Sequence, residues 1–114
     1  MITIFHNPRC SKSRKTLEII ESNNLKPRIR NYLKDNLSIT ELNEIIGLLK
    51  IDPKELVRTN EKIYSNLFEK NNKLNKSEII KILYENPILI QRPIVINGKK
   101  AIIGRPPENV LDIL

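Results

Sequence analysis

A short apolar run, Ile2-Thr3-Ile4-Phe5, gives way to a helical pattern over Thr16-Leu17-Glu18-Ile19-Ile20-Glu21, and between them lies His6-Asn7-Pro8-Arg9-Cys10-Ser11-Lys12-Ser13-Arg14. The run reads as a buried strand, and the later pattern repeats its apolar residues at helical spacing. The only cysteine of the chain, Cys10, therefore falls at a strand-to-helix junction, with Ser11 or Ser13 opening the helix. The first N–H groups of a helix lack internal partners, and its macrodipole places partial positive charge there. Both favour an anion, whether the thiolate of Cys10 or an oxyanion beside it.

An ordinary cysteine with a pKa near 8.5 is only about 3% thiolate at pH 7, and about 2.7 kcal/mol of anion stabilisation would make it mostly ionised. A helix terminus and two neighbouring cations can supply that much. Arg9, Lys12, Arg14 and a protonated His6 are the local cations. A free cysteine is more often a small buried hydrophobe, but the polar, basic flanks of Cys10 argue against an apolar pocket.

The rest of the chain completes an α/β pattern. Asn23-Asn24 and Lys26-Pro27 stop the first helix, and Arg28-Ile29-Arg30-Asn31-Tyr32 alternates weakly as a second strand. Strand, helix and strand form a right-handed βαβ unit with parallel neighbours. Ser38 or Thr40 with Glu41 starts a helix whose apolar face carries Ile39, Leu42, Ile45, Ile46, Leu48 and Leu49. Asp52-Pro53 opens a shorter helix that carries Leu56, Val57 and Arg58. Glu61 to Phe68 makes a further turn or two, Lys70-Asn71-Asn72-Lys73 reads as a solvated loop, and Lys76 to Glu85 is helical until Asn86-Pro87. Pro93-Ile94-Val95-Ile96 is a strand, Asn97-Gly98 signals a hairpin turn, and Lys100-Ala101-Ile102-Ile103 is the partner strand. Pro106 or Pro107 then opens a last helix. This order is that of an α/β, thioredoxin-like fold with a helical insertion between the second and third strands.

Length, charge and cysteine usage narrow the function. At 114 residues the chain suits one domain, and a lone cysteine cannot close an internal disulfide. Neither a signal peptide nor a membrane-length apolar run is present, so a soluble cytoplasmic protein is expected, with no membrane partner. The formal charge is +7, but aromatic residues are only 4% of the chain and no nucleic-acid motif occurs. A field that attracts small anions is the better reading of that charge than nucleic acid.

Three further arginines stand out by placement. Arg58 lies near the end of the short helix, Arg92 immediately precedes Pro93, and Arg105 follows Gly104 where the fourth strand ends. In a thioredoxin-like fold the loop before the third strand faces the cysteine turn, and its proline is characteristically cis, so Arg92-Pro93 is expected to adopt that isomer. Any one of these arginines alone reads as an ordinary surface residue; function requires that they converge.

His6 to Arg14, Glu55-Leu56-Val57-Arg58, Leu89-Ile90-Gln91-Arg92-Pro93-Ile94-Val95 and Gly104-Arg105-Pro106 resemble, in order and spacing, the glutaredoxin-coupled arsenate reductases, and most of all their short arsenate reductase-like branch. The resemblance covers essentially residues 1–114 and implies a single thioredoxin-like arsenate reductase domain. It implies that Cys10 attacks arsenate, that His6 helps to set the thiolate pKa, and that Arg58, Arg92 and Arg105 hold the oxyanion. Glutathione would be the co-substrate, and glutaredoxin would reduce the resulting mixed disulfide. Electrons would then come from thiols, with no bound metal or flavin. A related branch, the Spx-type regulators, shares the fold and binds RNA polymerase instead. Those proteins typically carry Cys-x-x-Cys, whereas Ser13 occupies the second position here. On this reading Ser13→Ala leaves turnover largely intact.

Overall fold

A computed structural model describes residues 1–69 and 73–114 and divides them into two compact units, 1–35 with 92–114, and 36–91. The first unit is built on a four-stranded sheet in the order β2-β1-β3-β4, comprising β1 (Ile2–Phe5), β2 (Arg28–Arg30), β3 (Ile94–Asn97) and β4 (Lys100–Ile103). The helix α1 (Ser11–Ser22) connects β1 to β2, which pair in parallel with Ile4 opposite Ile29. β3 runs antiparallel to β1, with Ile4 opposite Val95, and β4 antiparallel to β3, with Val95 opposite Ile102. This is the expected thioredoxin-like arrangement.

Alternation along the strands decides what each face buries. Ile2 and Ile4 of β1 and Val95 of β3 share one core with Ile20 of α1 and with Val110 and Ile113. The last two come from a closing 3₁₀ segment, Pro107–Ile113, which starts with proline at its first position. Truncating a core residue such as Ile4, which is wholly buried, costs about 2–5 kcal/mol in sites of this kind. α1 ends at Ser22, where Asn23 Nδ2 donates to the Ile19 carbonyl at 2.8 Å and Asn24 turns left-handed at φ 62°.

Two boundaries in the first unit differ from the sequence reading. β2 stops at Arg30 and does not continue to Tyr32. Asn31 instead starts a turn, with its carbonyl accepting from the Lys34 and Asp35 amides and its side chain from the Leu33 amide. The hairpin turn is centred on Gly98-Lys99, one residue later than the Asn97-Gly98 signal suggests. Asn97 stays in β3, paired with Lys100, because its side-chain amide donates to the Ile113 carbonyl at 2.6 Å. Gly98 then takes the positive φ, 64°, at the first central position of the turn.

The second unit is mostly helical. α2 (Ile39–Leu49) opens on a reciprocal capping box between Ser38 and Glu41, and α4 (Lys76–Glu85) on the same device between Asn75 and Glu78. Leu42, Ile45 and Ile46 of α2 and Ile79, Ile80 and Leu83 of α4 are buried, and the two helices pack together. Ile39, by contrast, is exposed. A short helix, α3 (Lys62–Tyr64), runs on into a wider π-type turn at Ser65–Glu69, where the rings of Tyr64 and Phe68 stack at 5.0 Å. The loop expected over Lys70–Lys73 lies mostly outside the described residues.

Asp52 caps a 3₁₀ turn, Pro53–Leu56, by accepting from the Lys54 amide at 3.0 Å. That turn ends before Val57, which instead pairs antiparallel with Ile90. Arg58 therefore lies beyond the short helix, on an extended segment whose amide donates to the Leu89 carbonyl at 2.6 Å. Among the described residues no helix is long and apolar enough to cross a membrane.

Candidate active site

Cys10 is the N-cap residue of α1, in extended conformation at φ −93° and ψ 120°, and its side chain makes no capping bond of the usual kind. Its amide donates to the Asn7 carbonyl at 3.0 Å, and its own carbonyl accepts from the Arg14 amide at 3.0 Å. The Asn7 side chain accepts from the Arg9 amide at 3.0 Å, which closes the turn ahead of the helix. The half-buried sulfur thus faces the orphan donors of the first helical turn, and no acidic residue is present in that turn.

Opposing influences act on this thiol. Burial pushes its pKa up, whereas the backbone N–H of Ser13, the Arg92 side chain, the backbone N–H of Lys12 and the charge of Arg92 all favour the thiolate. The net shift is downward from the ordinary cysteine value. The supporting cation is therefore Arg92, more than eighty residues away in sequence, and not the neighbours Arg9, Lys12 or Arg14. Arg14 is turned to the Pro8 carbonyl, where Nη1 donates at 2.8 Å.

His6 also departs from expectation. It is buried, its amide donates to the Arg30 carbonyl at 2.7 Å, and its ring Nδ1 lies 2.6 Å from Ser13 Oγ. Burial and then the charge of Arg14 push its pKa down, so the ring is neutral and does not serve as a cation for Cys10.

Arg92 and Arg105 are brought together at the mouth of the sheet. Arg105 Nη1 donates to the Arg92 carbonyl at 3.2 Å. The Arg92–Pro93 bond is cis, as expected, and Arg105–Pro106 is cis as well. Gly104 holds the two loops side by side, its amide donating to the Pro93 carbonyl at 2.9 Å. A Cβ at Gly104 would stand 2.5 Å from Thr16 Oγ1 and 2.8 Å from Pro93 Cγ, so only glycine lets β4, α1 and the Pro93 loop approach this closely. Thr16 is buried there, with its hydroxyl donating to the Lys12 carbonyl at 2.8 Å. Guanidinium groups on such a lip, beside a thiol whose pKa is lowered, suit a small tetrahedral oxyanion with several acceptor oxygens.

Arg58 belongs to the second unit. Its side chain is largely buried, and Nε lies 3.3 Å from Glu61 Oε1. Gln91, the residue before Arg92, ties the same segment together through its amide, which donates to the Leu56 carbonyl at 2.8 Å. The second unit also carries an open cleft of about 180 Å³, lined by Lys54, Val57, Tyr64, Phe68 and Ile79 among others, with neither cysteine nor histidine in its wall. No cluster of three or more histidine, cysteine or acidic side chains that could hold a metal ion occurs among the described residues.

Ser13, Asn7, Thr16 and Gly104 were not read as parts of a site from sequence. Asn7 and Ser13 lie inside the His6–Arg14 motif, and Gly104 is a glycine between a strand and Arg105-Pro106, but none of them carries a site role on sequence alone. Ser13 stands where a second cysteine would, and in the structure it is fully buried and bonded on two sides.

Comparison with known proteins supplies a family. The ArsC family profile matches residues 5–113. The chain is 46% identical over 114 residues to an arsenate reductase of Haemophilus influenzae, covering 99% of this chain and 98% of that protein. It is 40% identical over 113 residues to an arsenate reductase of Escherichia coli, covering 99% of this chain and 80% of that one. Among solved structures, an arsenate reductase from Vibrio cholerae superposes with a TM-score of 0.95 at 37% identity, covering 99% of this chain and 97% of that one.

Proposed function

This chain belongs to the ArsC family, and from that premise we propose that it is a thiol-dependent arsenate reductase in which Cys10 is the nucleophile. The observation that carries this reading is the stabilisation of the Cys10 thiolate by the Ser13 and Lys12 amides and by Arg92, with Arg105 tethered alongside. Nothing in the relatives or in the site favours an RNA polymerase-binding regulator. The family match runs through both compact units, which supports taking 1–114 as one arsenate reductase domain.

In the proposed reaction the thiolate attacks arsenic and one arsenate oxygen departs. Arg92 and Arg105 neutralise the oxyanion charge that would otherwise repel the sulfur. Arg58 is proposed as a third oxyanion ligand on the strength of its family motif. Glutathione then attacks the sulfur of the arsenical adduct. Two electrons pass to arsenic, arsenite leaves, and Cys10 is left in a mixed disulfide with glutathione. Two thiol protons and the departed oxygen make up one water. A glutaredoxin thiol then releases the glutathione. Because the chain has one cysteine, the second sulfur must come from another molecule. A glutathione-rich compartment such as the cytoplasm suits that requirement.

The test is mass spectrometry of the protein after incubation with arsenate and glutathione. One glutathione should be found on Cys10 and should be removed by glutaredoxin, and Cys10→Ser should lose both adduct and turnover. Turnover that survives Cys10→Ser, or that proceeds without a trapped adduct, would overturn the mechanism.

A further inference from the structure

Two buried hydroxyls on α1 behave differently. Thr16 bonds back to the carbonyl four residues earlier, the ordinary habit of a helical hydroxyl. Ser13 instead reaches out of the helix to the turn before Cys10. Its Oγ is 2.6 Å from His6 Nδ1 and accepts from the Asn7 amide at 3.0 Å.

A hydroxyl has one proton and two lone pairs. The Asn7 amide can only donate, so it occupies one lone pair; Nδ1 is the one acceptor within hydrogen-bond distance of Oγ among the described residues, so the hydroxyl proton is directed to it. A neutral imidazole whose Nδ1 accepts must carry its own proton on Nε2. The same residue serves the nucleophile from its other side. The Ser13 backbone N–H supports the Cys10 thiolate, and the Asn7 carbonyl accepts from the Cys10 amide at 3.0 Å. Ser13 therefore joins both ends of the 6–10 turn to the first turn of α1.

We propose that Ser13 is a positioning residue: its hydroxyl locks His6 as the neutral Nε2–H tautomer and pins residues 6 and 7, which holds the Cys10 sulfur in front of the helix amides. The proposal rests on Cys10 being the nucleophile, but its test involves no arsenate and so stands or falls separately from the reductase reading.

His6 is the only histidine in the chain, so a nitrogen-15 imidazole spectrum contains a single ring. The wild-type spectrum at pH 7.5 should show the neutral Nε2–H form. In Ser13→Ala the ring should relax toward a mixture of tautomers. The pH inflection of Cys10 alkylation by iodoacetamide should move upward, with a severalfold lower rate at pH 6.5. Ser13→Thr, which keeps the hydroxyl, should restore the tautomer and much of the rate. A wild-type ring protonated on Nδ1 overturns the proposal, and so does a folded Ser13→Ala with unchanged tautomer and inflection. Should Ser13→Ala fail to fold, the wild-type spectrum decides alone. Loss of the tautomer lock with an unchanged alkylation inflection would likewise remove the positioning role, and neither result bears on the reductase reading.

Discussion

The sulfur of Cys10 lies where burial favours the thiol, while the Ser13 amide, Arg92 and the Lys12 amide favour the thiolate. Removing one donor should therefore be felt directly. Arg92→Ala is expected to raise the alkylation inflection of Cys10 and to weaken oxyanion binding by about 1.5–3 kcal/mol, roughly ten- to a hundredfold. Arg92→Lys should recover only part, since an ammonium supplies charge without the planar fork. Alkylation against pH and competition by phosphate or sulfate measure the two effects. His6 contributes a pH dependence of stability. Its folded pKa lies below the unfolded value of 6.5, so the unfolded chain binds more protons across that interval. The stability it supports is present above pH 6.5 and is lost as pH falls through the folded value. Denaturant midpoints measured from pH 7.5 down to 5 should decline less steeply in His6→Gln; an equal slope would mean that the ring titrates normally. Cys10 and the arginines could be picked out from residue type and placement. Ser13 could not, because its partners His6 and Asn7 precede the helix, and only the folded turn brings their donors and acceptors to one oxygen.

Elements whose ends carry their own chemistry could be read from the chain in advance. Glu41 with Ser38 or Thr40 marks the start of α2, where the structure selects Ser38, and Asn86-Pro87 marks the end of α4. Ser38→Ala should cost about 0.5–2 kcal/mol, measured by chemical denaturation, because one helix donor loses its acceptor. Where a long-range bond overrides a local signal, the local signal misplaces the boundary. Asn97 is such a case, held in β3 by the Ile113 carbonyl while Gly98 and Lys99 make the turn. The 3₁₀ character of Pro53–Leu56 and Pro107–Ile113 was likewise not visible, since proline and acidic residues at a helix start do not distinguish the two windings. Gly104 shows how tightly elements meet at the site. Gly104→Ala should destabilise by about 1–3 kcal/mol and should also slow Cys10 alkylation, because Pro93 or Thr16 must move to make room. A lower melting temperature with unchanged thiol reactivity would confine that contact to packing.

Across the whole molecule, the strand and helix order was enough to name the architecture, and the sheet order β2-β1-β3-β4 follows from it. The division into two compact units was not evident, because no composition shift or linker marks residues 35–36 or 91–92. The sheet-bearing unit draws on both ends of the chain, with 36–91 between them. A chain made from its N-terminus at about 5–20 residues per second meets that interruption before the sheet can close. While the growing polypeptide ends short of Arg92, Cys10 has neither its guanidinium partner nor β3 beside β1. The newborn chain therefore holds its nucleophile for most of its synthesis without the one cation that favours the thiolate, and gains that cation only when the last fifth of the sequence is made.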